Sequence, residues 1–154
     1  MKQDHSRLLP HPTYMHSPIR DEDGSPINLL FETWYRAITD KDRPSPRHAL
    51  FHATYNGRVV LVKFSERYNS VAHRALVERG LAPLLYFSTQ LWGGVHMSIM
   101  QFLDQASDAQ HKFLGQELPV DVIKQVEDAL AVLHEKNLVH GDIRRPNILV
   151  MLCI

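Results

Sequence analysis

Apolar residues recur along this chain of 154 residues with two different periods, and each change of period marks an element. The runs 48–55 and 58–64 are rich in β-branched and aromatic residues and are separated by Asn56-Gly57. Both turn residues tolerate positive φ, so this stretch predicts a β-hairpin. Leu81 to Ser88 and Val95 to Leu103 predict two further strands around a Gly93-Gly94 turn. Between the two pairs, Asn69 or Ser70 can cap a helix through Ala72, His73, Ala75, Leu76 and Val77, stopped by Gly80 and Pro83. Asp104 to Gly115 is a polar connector with room for a short helix. After Pro119 and Asp121 the period lengthens: Val122, Ile123, Val126, Ala129, Leu130 and Leu133 form one stripe of an amphipathic helix. Ile27 to Thr39 fits a helix or a strand, and its periodicity leaves both open. Lys41 to Pro46 reads as a loop.

The first 26 residues are polar and carry Pro10, Pro12, Pro18 and Pro26, which predicts a disordered tail or an irregular lead-in. His5, His11 and His16 lie there without a scaffold to orient them, so solvated histidines are expected rather than a metal site. The rest, 27–154, is expected to form a single domain. Lysine plus arginine and aspartate plus glutamate both number 17, which removes any electrostatic case for nucleic acid or an anionic membrane as partner. An apolar fraction of 44% argues against global disorder. Cys153 is the single cysteine, so no internal disulfide can form. No apolar run reaches membrane-spanning length, and a soluble, intracellular, cytoplasmic protein is the expectation.

The chemistry concentrates in Leu138-Val139-His140-Gly141-Asp142-Ile143-Arg144-Arg145-Pro146-Asn147-Ile148-Leu149-Val150. Apolar residues on both sides predict strand, polar loop, strand. The loop then holds a carboxylate and a carboxamide five residues apart. Phosphoryl transfer uses such a pair: a carboxylate to orient the nucleophile's proton, and an amide oxygen for a metal ion. Upstream, Lys63 is set among Val60, Leu61, Val62 and Phe64. A half-buried lysine on a central strand costs desolvation unless an anion meets it; its blander reading is a strand-end side chain reaching to solvent.

Taken together, a hairpin strand bearing a lysine, a helix, two strands, a linker, an amphipathic helix and His-x-Asp-x-x-x-x-Asn resemble the protein-kinase-like superfamily. The resemblance covers roughly residues 48–154, and the loop wording is similar to fungal protein-kinase-like sequences and to aminoglycoside- and choline-type phosphotransferases. It implies an α+β fold: an N-terminal antiparallel sheet with one helix over about 27–103, and the start of a helical C-lobe over about 104–154. It also implies roles. Lys63 would contact the ATP phosphates, Asp142 would be the catalytic base, Arg144 would lie near the transferred phosphate, and Asn147 would bind Mg2+. Met100 would border the adenine, with Gln101, Phe102 and Leu103 offering backbone groups to it. ATP and a protein hydroxyl, or a small hydroxyl compound, would be the partners.

Several departures qualify this kinship. No glycine-rich loop precedes Lys63, since 39–48 holds no glycine. His73 stands where a helix glutamate would pair with Lys63, with Glu66 or Glu78 as substitutes at other places. Gly141 replaces the arginine that anchors a phosphorylated activation loop. No Asp-Phe-Gly follows Asn147, so a piece of a longer protein is expected, with Ile148 to Ile154 as an unpaired apolar strand prone to aggregation. The readings are an ATP-dependent protein phosphotransferase with impaired activity in this chain, a small-molecule phosphotransferase, or an inactive binding module.

Overall fold

A computed structural model describes residues 19–21, 23–34, 49–91 and 93–151. The three N-terminal histidines, the loop at 41–46 and the residues after Met151 lie outside them. The described chain is α+β, and it divides into two compact units. One comprises the described residues up to Tyr68 together with Tyr86–Phe102; the other comprises Asn69–Leu85 and the described residues from Leu103 on.

The first unit is built on a five-stranded sheet of β1 (Leu29–Trp34), β2 (Ala49–Tyr55), β3 (Arg58–Ser65), β4 (Leu85–Gln90) and β5 (His96–Gln101), in the order β1-β2-β3-β5-β4. The open question over 27–39 resolves to a strand, since Leu29–Trp34 pairs antiparallel with β2; 35–39 lies outside the described residues. Asn56 and Gly57 turn the β2–β3 hairpin at φ of 49° and 78°, the left-handed conformation that the pair predicted. The strand expected from Leu81 begins only at Leu85, because 81–84 completes the exit from the preceding helix. Gly93 and Gly94, both at positive φ, join β4 to β5.

Alternation along β3 places Val60, Val62 and Phe64 in the core and Leu61, Lys63 and Ser65 on the opposite face. Phe51, Ala53, Phe87, Met97 and Ile99 complete that core from the neighbouring strands. Within the described part of this lead-in, 19–21 and 23–27 close into a strap. Arg20 bridges to Pro26, the Asp21 carboxylate accepts the Asp23 and Ser25 amides, and Ile27 N donates to Ile19 O at 2.8 Å. Ile19 and Ile27 pack on the core, and the gain from burying them outweighs the local polarity that suggested a tail.

In the second unit, α1 (Ser70–Val77) starts at Asn69, whose side chain accepts the Ala72 amide at 3.0 Å. It exits through Gly80 at φ 69°, with Gly80 N on Val77 O and Leu81 N on Leu76 O, a Schellman pattern. The polar connector holds β6 (Ala106–Asp108), which its polarity concealed, and α2 (Ala109–Lys112). The predicted amphipathic helix is α3 (Val120–Glu135); it packs against α1 and buries Val122 and Leu133. Among the described residues, no helix is long and apolar enough to cross a membrane.

Two expectations around the motif fail. Leu138-Val139 is not a strand, because the chain there has just left α3 and pairs with no described strand. The stretch after the motif is not unpaired: β7 (Leu149–Met151) pairs antiparallel with β6, Ser107 opposite Val150.

Candidate functional site

Three turns shape the loop around Asp142. Helix α3 ends at Asn137, whose φ of 55° and Asn137 N→His134 O and Leu138 N→Leu133 O bonds form a second Schellman pattern. Gly141 then adopts φ 74° with no atom within 4 Å of where a Cβ would stand, so backbone conformation rather than space calls for glycine. Finally Arg145–Asn147 closes a 3-10 turn with Asn147 N on Arg144 O at 2.8 Å. Arg145 Nη1 donates to Phe113 O and Ala109 N to Ile148 O, which ties the turn to α2.

Within this frame Asp142, Arg144 and Asn147 come together. Arg144 grips both carboxylate oxygens, Nε to Oδ1 at 2.6 Å and Nη2 to Oδ2 at 2.8 Å. Asn147 Nδ2 donates to Asp142 O at 2.9 Å and to Oδ2 at 3.0 Å. Asp142 N in turn donates to His140 Nδ1 at 3.3 Å. The Arg144 hydrogen bond, ahead of that from Asn147, holds the Asp142 carboxyl below the usual carboxylate range. An aspartate so held is a better anchor and orienter than a proton acceptor. With its nitrogen committed to Asp142, Asn147 has only Oδ1 to offer a cation. Among the described residues no group of three His, Cys, Asp or Glu side chains could hold a metal ion. Magnesium takes one or two carboxylates plus phosphate oxygens and water, so Asp142 and Asn147 Oδ1 would hold it only together with nucleotide phosphates and water.

Lys63 stands in the other unit. Its neighbours across the sheet are Leu50 and Ser98. Ser98 is fully buried and shares a hydroxyl contact with Ser88 at 3.3 Å, while Ser65 Oγ is buried with no hydrogen-bond partner. Burial pushes the Lys63 amine below its ordinary value of 10.5, and no described carboxylate bonds to it. His73, at the expected glutamate position, uses Nε2 to donate to Pro83 O at 2.7 Å. It is therefore committed to the segment after α1. Glu66 and Glu78 are both exposed.

Met100 ends the row of buried residues on β5, opposite Leu61. Gln101 closes the strand, and the Phe102 ring meets His52 edge-on at 4.5 Å. Leu103 O accepts from Ala106 N at 3.3 Å, and the boundary between the units falls between Phe102 and Leu103. Sequence reasoning did not single out Arg145 or Ser65. Their contacts join residues far apart in sequence or depend on a buried hydroxyl, and no spacing announces either.

No family model matches the chain, and no curated protein matches it. Among solved structures it is similar to a chain in the complex of Neurospora crassa PAN2 (WD40-CS1) with PAN3 (pseudokinase and C-term), at 15% identity and a TM-score of 0.49. That similarity covers 88% of this chain and 40% of the other, so the chain spans less than half of that neighbour. The five-stranded antiparallel sheet with few helices is compatible with a protein-kinase-like small lobe.

Proposed function

We propose that this chain is the nucleotide-handling part of a protein-kinase-like phosphotransferase, which moves the γ-phosphate of ATP to a protein hydroxyl. The observation that carries the reading is the loop in which Asn147 Nδ2 clasps both the backbone and the carboxylate of Asp142, five residues before it. That clasp fixes a carboxylate to orient a hydroxyl and leaves an amide oxygen for the cation that accompanies ATP. Lys63 is assigned to the phosphates: a desolvated amine without a described counter-ion gains most from a polyanion. Met100 to Leu103 is assigned to the adenine. A small hydroxyl compound is the alternative acceptor.

A second reading is a nucleotide-binding module without catalysis. It is favoured by the engagement of Arg144 with both Asp142 oxygens and by the commitment of His73 to Pro83 O.

Thermal unfolding with Mg-ATP and transfer of radiolabelled γ-phosphate separate the readings. Binding to the folded state must raise the midpoint. On the enzyme reading Mg-ATP raises it, Lys63→Met removes the rise, and label transfer disappears in Asp142→Asn. A rise without label transfer selects the binding module. No rise at millimolar Mg-ATP overturns both.

A further inference from the structure

We propose that Arg145 is a positioning residue for the Asp142 loop: its guanidinium, held on the Phe113 carbonyl, fixes the 3-10 turn that sets Asn147 against Asp142. This rests on the reading of the loop as a phosphotransfer site and names what keeps that site in shape.

The loop has little else to hold it. From Val139 to Asn147 every residue is exposed except Arg145. The large apolar side chains of the stretch, Val139 and Ile143, are 81% and 45% exposed, so burial contributes little to its shape. Backbone bonds are also scarce. Leu138 N bonds back to α3, but no amide from Val139 to Arg144 donates to a described backbone carbonyl. Asp142 is pinned instead from the far side, by Asn147 Nδ2 at its carbonyl and at Oδ2. The position of Asp142 is therefore inherited from Asn147.

Arg145 is where that far side is fastened. Its Nη1 donates to Phe113 O at 3.2 Å, across 32 positions of sequence. Phe113 O also accepts Gln116 N at 3.0 Å, so both of its lone pairs are engaged and the acceptor is itself held. Arg145 is the first residue of the 3-10 turn and Asn147 the last, so a hold on the first sets the direction of the last. The turn is closed by Asn147 N on Arg144 O and by Ile148 N on Arg145 O at 3.2 Å. Ala109 N on Ile148 O at 2.8 Å then docks the next residue on α2. A cationic donor on a half-buried carbonyl is a strong hydrogen bond. Without it the turn is free to carry Asn147 off Asp142, and a displacement of about 1 Å is enough to slow a reaction that depends on positioning.

The test uses Arg145→Met, which keeps an apolar stem and removes the donors, beside Arg145→Lys, which returns one donor group. NMR follows the Asn147 Nδ2 amide protons in the 154-residue chain without nucleotide. In Arg145→Met this pair of signals should move toward the positions of a solvated amide, and in Arg145→Lys it should return part of the way. Lys112→Gln, which removes the Lys112 Nζ bond to Met151 O, should leave the pair in place. A pair that stays put in Arg145→Met, or moves as far in Lys112→Gln, overturns the proposal. Should Arg145→Met not fold, Arg145→Lys decides: a shift in the same direction supports the role, and no shift overturns it. Transfer of labelled γ-phosphate reads the consequence. Arg145→Met should lower the rate at saturating Mg-ATP about tenfold and change the KM for Mg-ATP by less than about twofold. An unchanged rate overturns the role, whether or not KM rises. If the wild-type chain transfers no label while the Asn147 signals respond as stated, the phosphotransfer reading falls and the hold of Arg145 on the loop stands.

Discussion

Lys63 shows what a single residue costs and what it implies. A lysine whose folded-state pKa is depressed makes the unfolded chain bind more protons between the two values, so stability rises with pH there. The penalty is full below the depressed folded value and is gone above 10.5, the ordinary lysine value. Lys63→Met should accordingly raise the unfolding midpoint at neutral pH, and the gain should shrink as pH approaches the ordinary value. A thermal melt series across alkaline pH reads both. A midpoint that falls instead would mean that the amine has a stabilising partner in solution. The presence of a desolvated lysine was legible from its apolar flanks in β3. So was the histidine in place of a pairing glutamate; the contact of His73 with Pro83 O was not, because the fold of the segment after α1 makes it.

Among elements, local chemistry decided what stands alone and packing decided what does not. The Asn56-Gly57 hairpin, the Asn69 cap and the Gly80 exit all formed where their residues indicated, since each depends on contacts within five residues. Asn69→Ala removes the bond to the Ala72 amide and should cost about 1 kcal/mol, seen as a lower urea midpoint with an unchanged slope. An unchanged midpoint would mean that water replaces the cap at no cost. By contrast, β6 is three residues of Ala-Ser-Asp, whose side chains carry no alternating apolar signal. It is a strand because β7 lies beside it, and Lys112 Nζ donates to Met151 O to hold that end. The strap at 19–26 is likewise polar by composition and ordered by two isoleucines that find the sheet core.

For the molecule as a whole, most of the exposed large apolar side chains among the described residues lie in the second unit. Val120, Val139, Ile143, Leu149 and Met151 are exposed there, and β7 is paired on one side only among the described residues. Leu149→Lys should lower concentration-dependent self-association, measured by light scattering, without changing the helical signal. Association that persists unchanged would place the contact elsewhere. The sequence by itself determined the hairpin, both longer helices and the five-residue spacing of Asp142 and Asn147. Those follow from propensity, capping and periodicity, which act over a few residues. Tertiary structure alone decided that 27–39 yields a strand, that the strap closes on the core, that β6 pairs with β7, and that Arg144 closes on Asp142. Each of these is chosen by a partner that only folding brings near, or by a side-chain rotamer that spacing does not specify. The Asp142 loop was therefore readable as a place for chemistry, and the closed grip of Arg144 upon it was not.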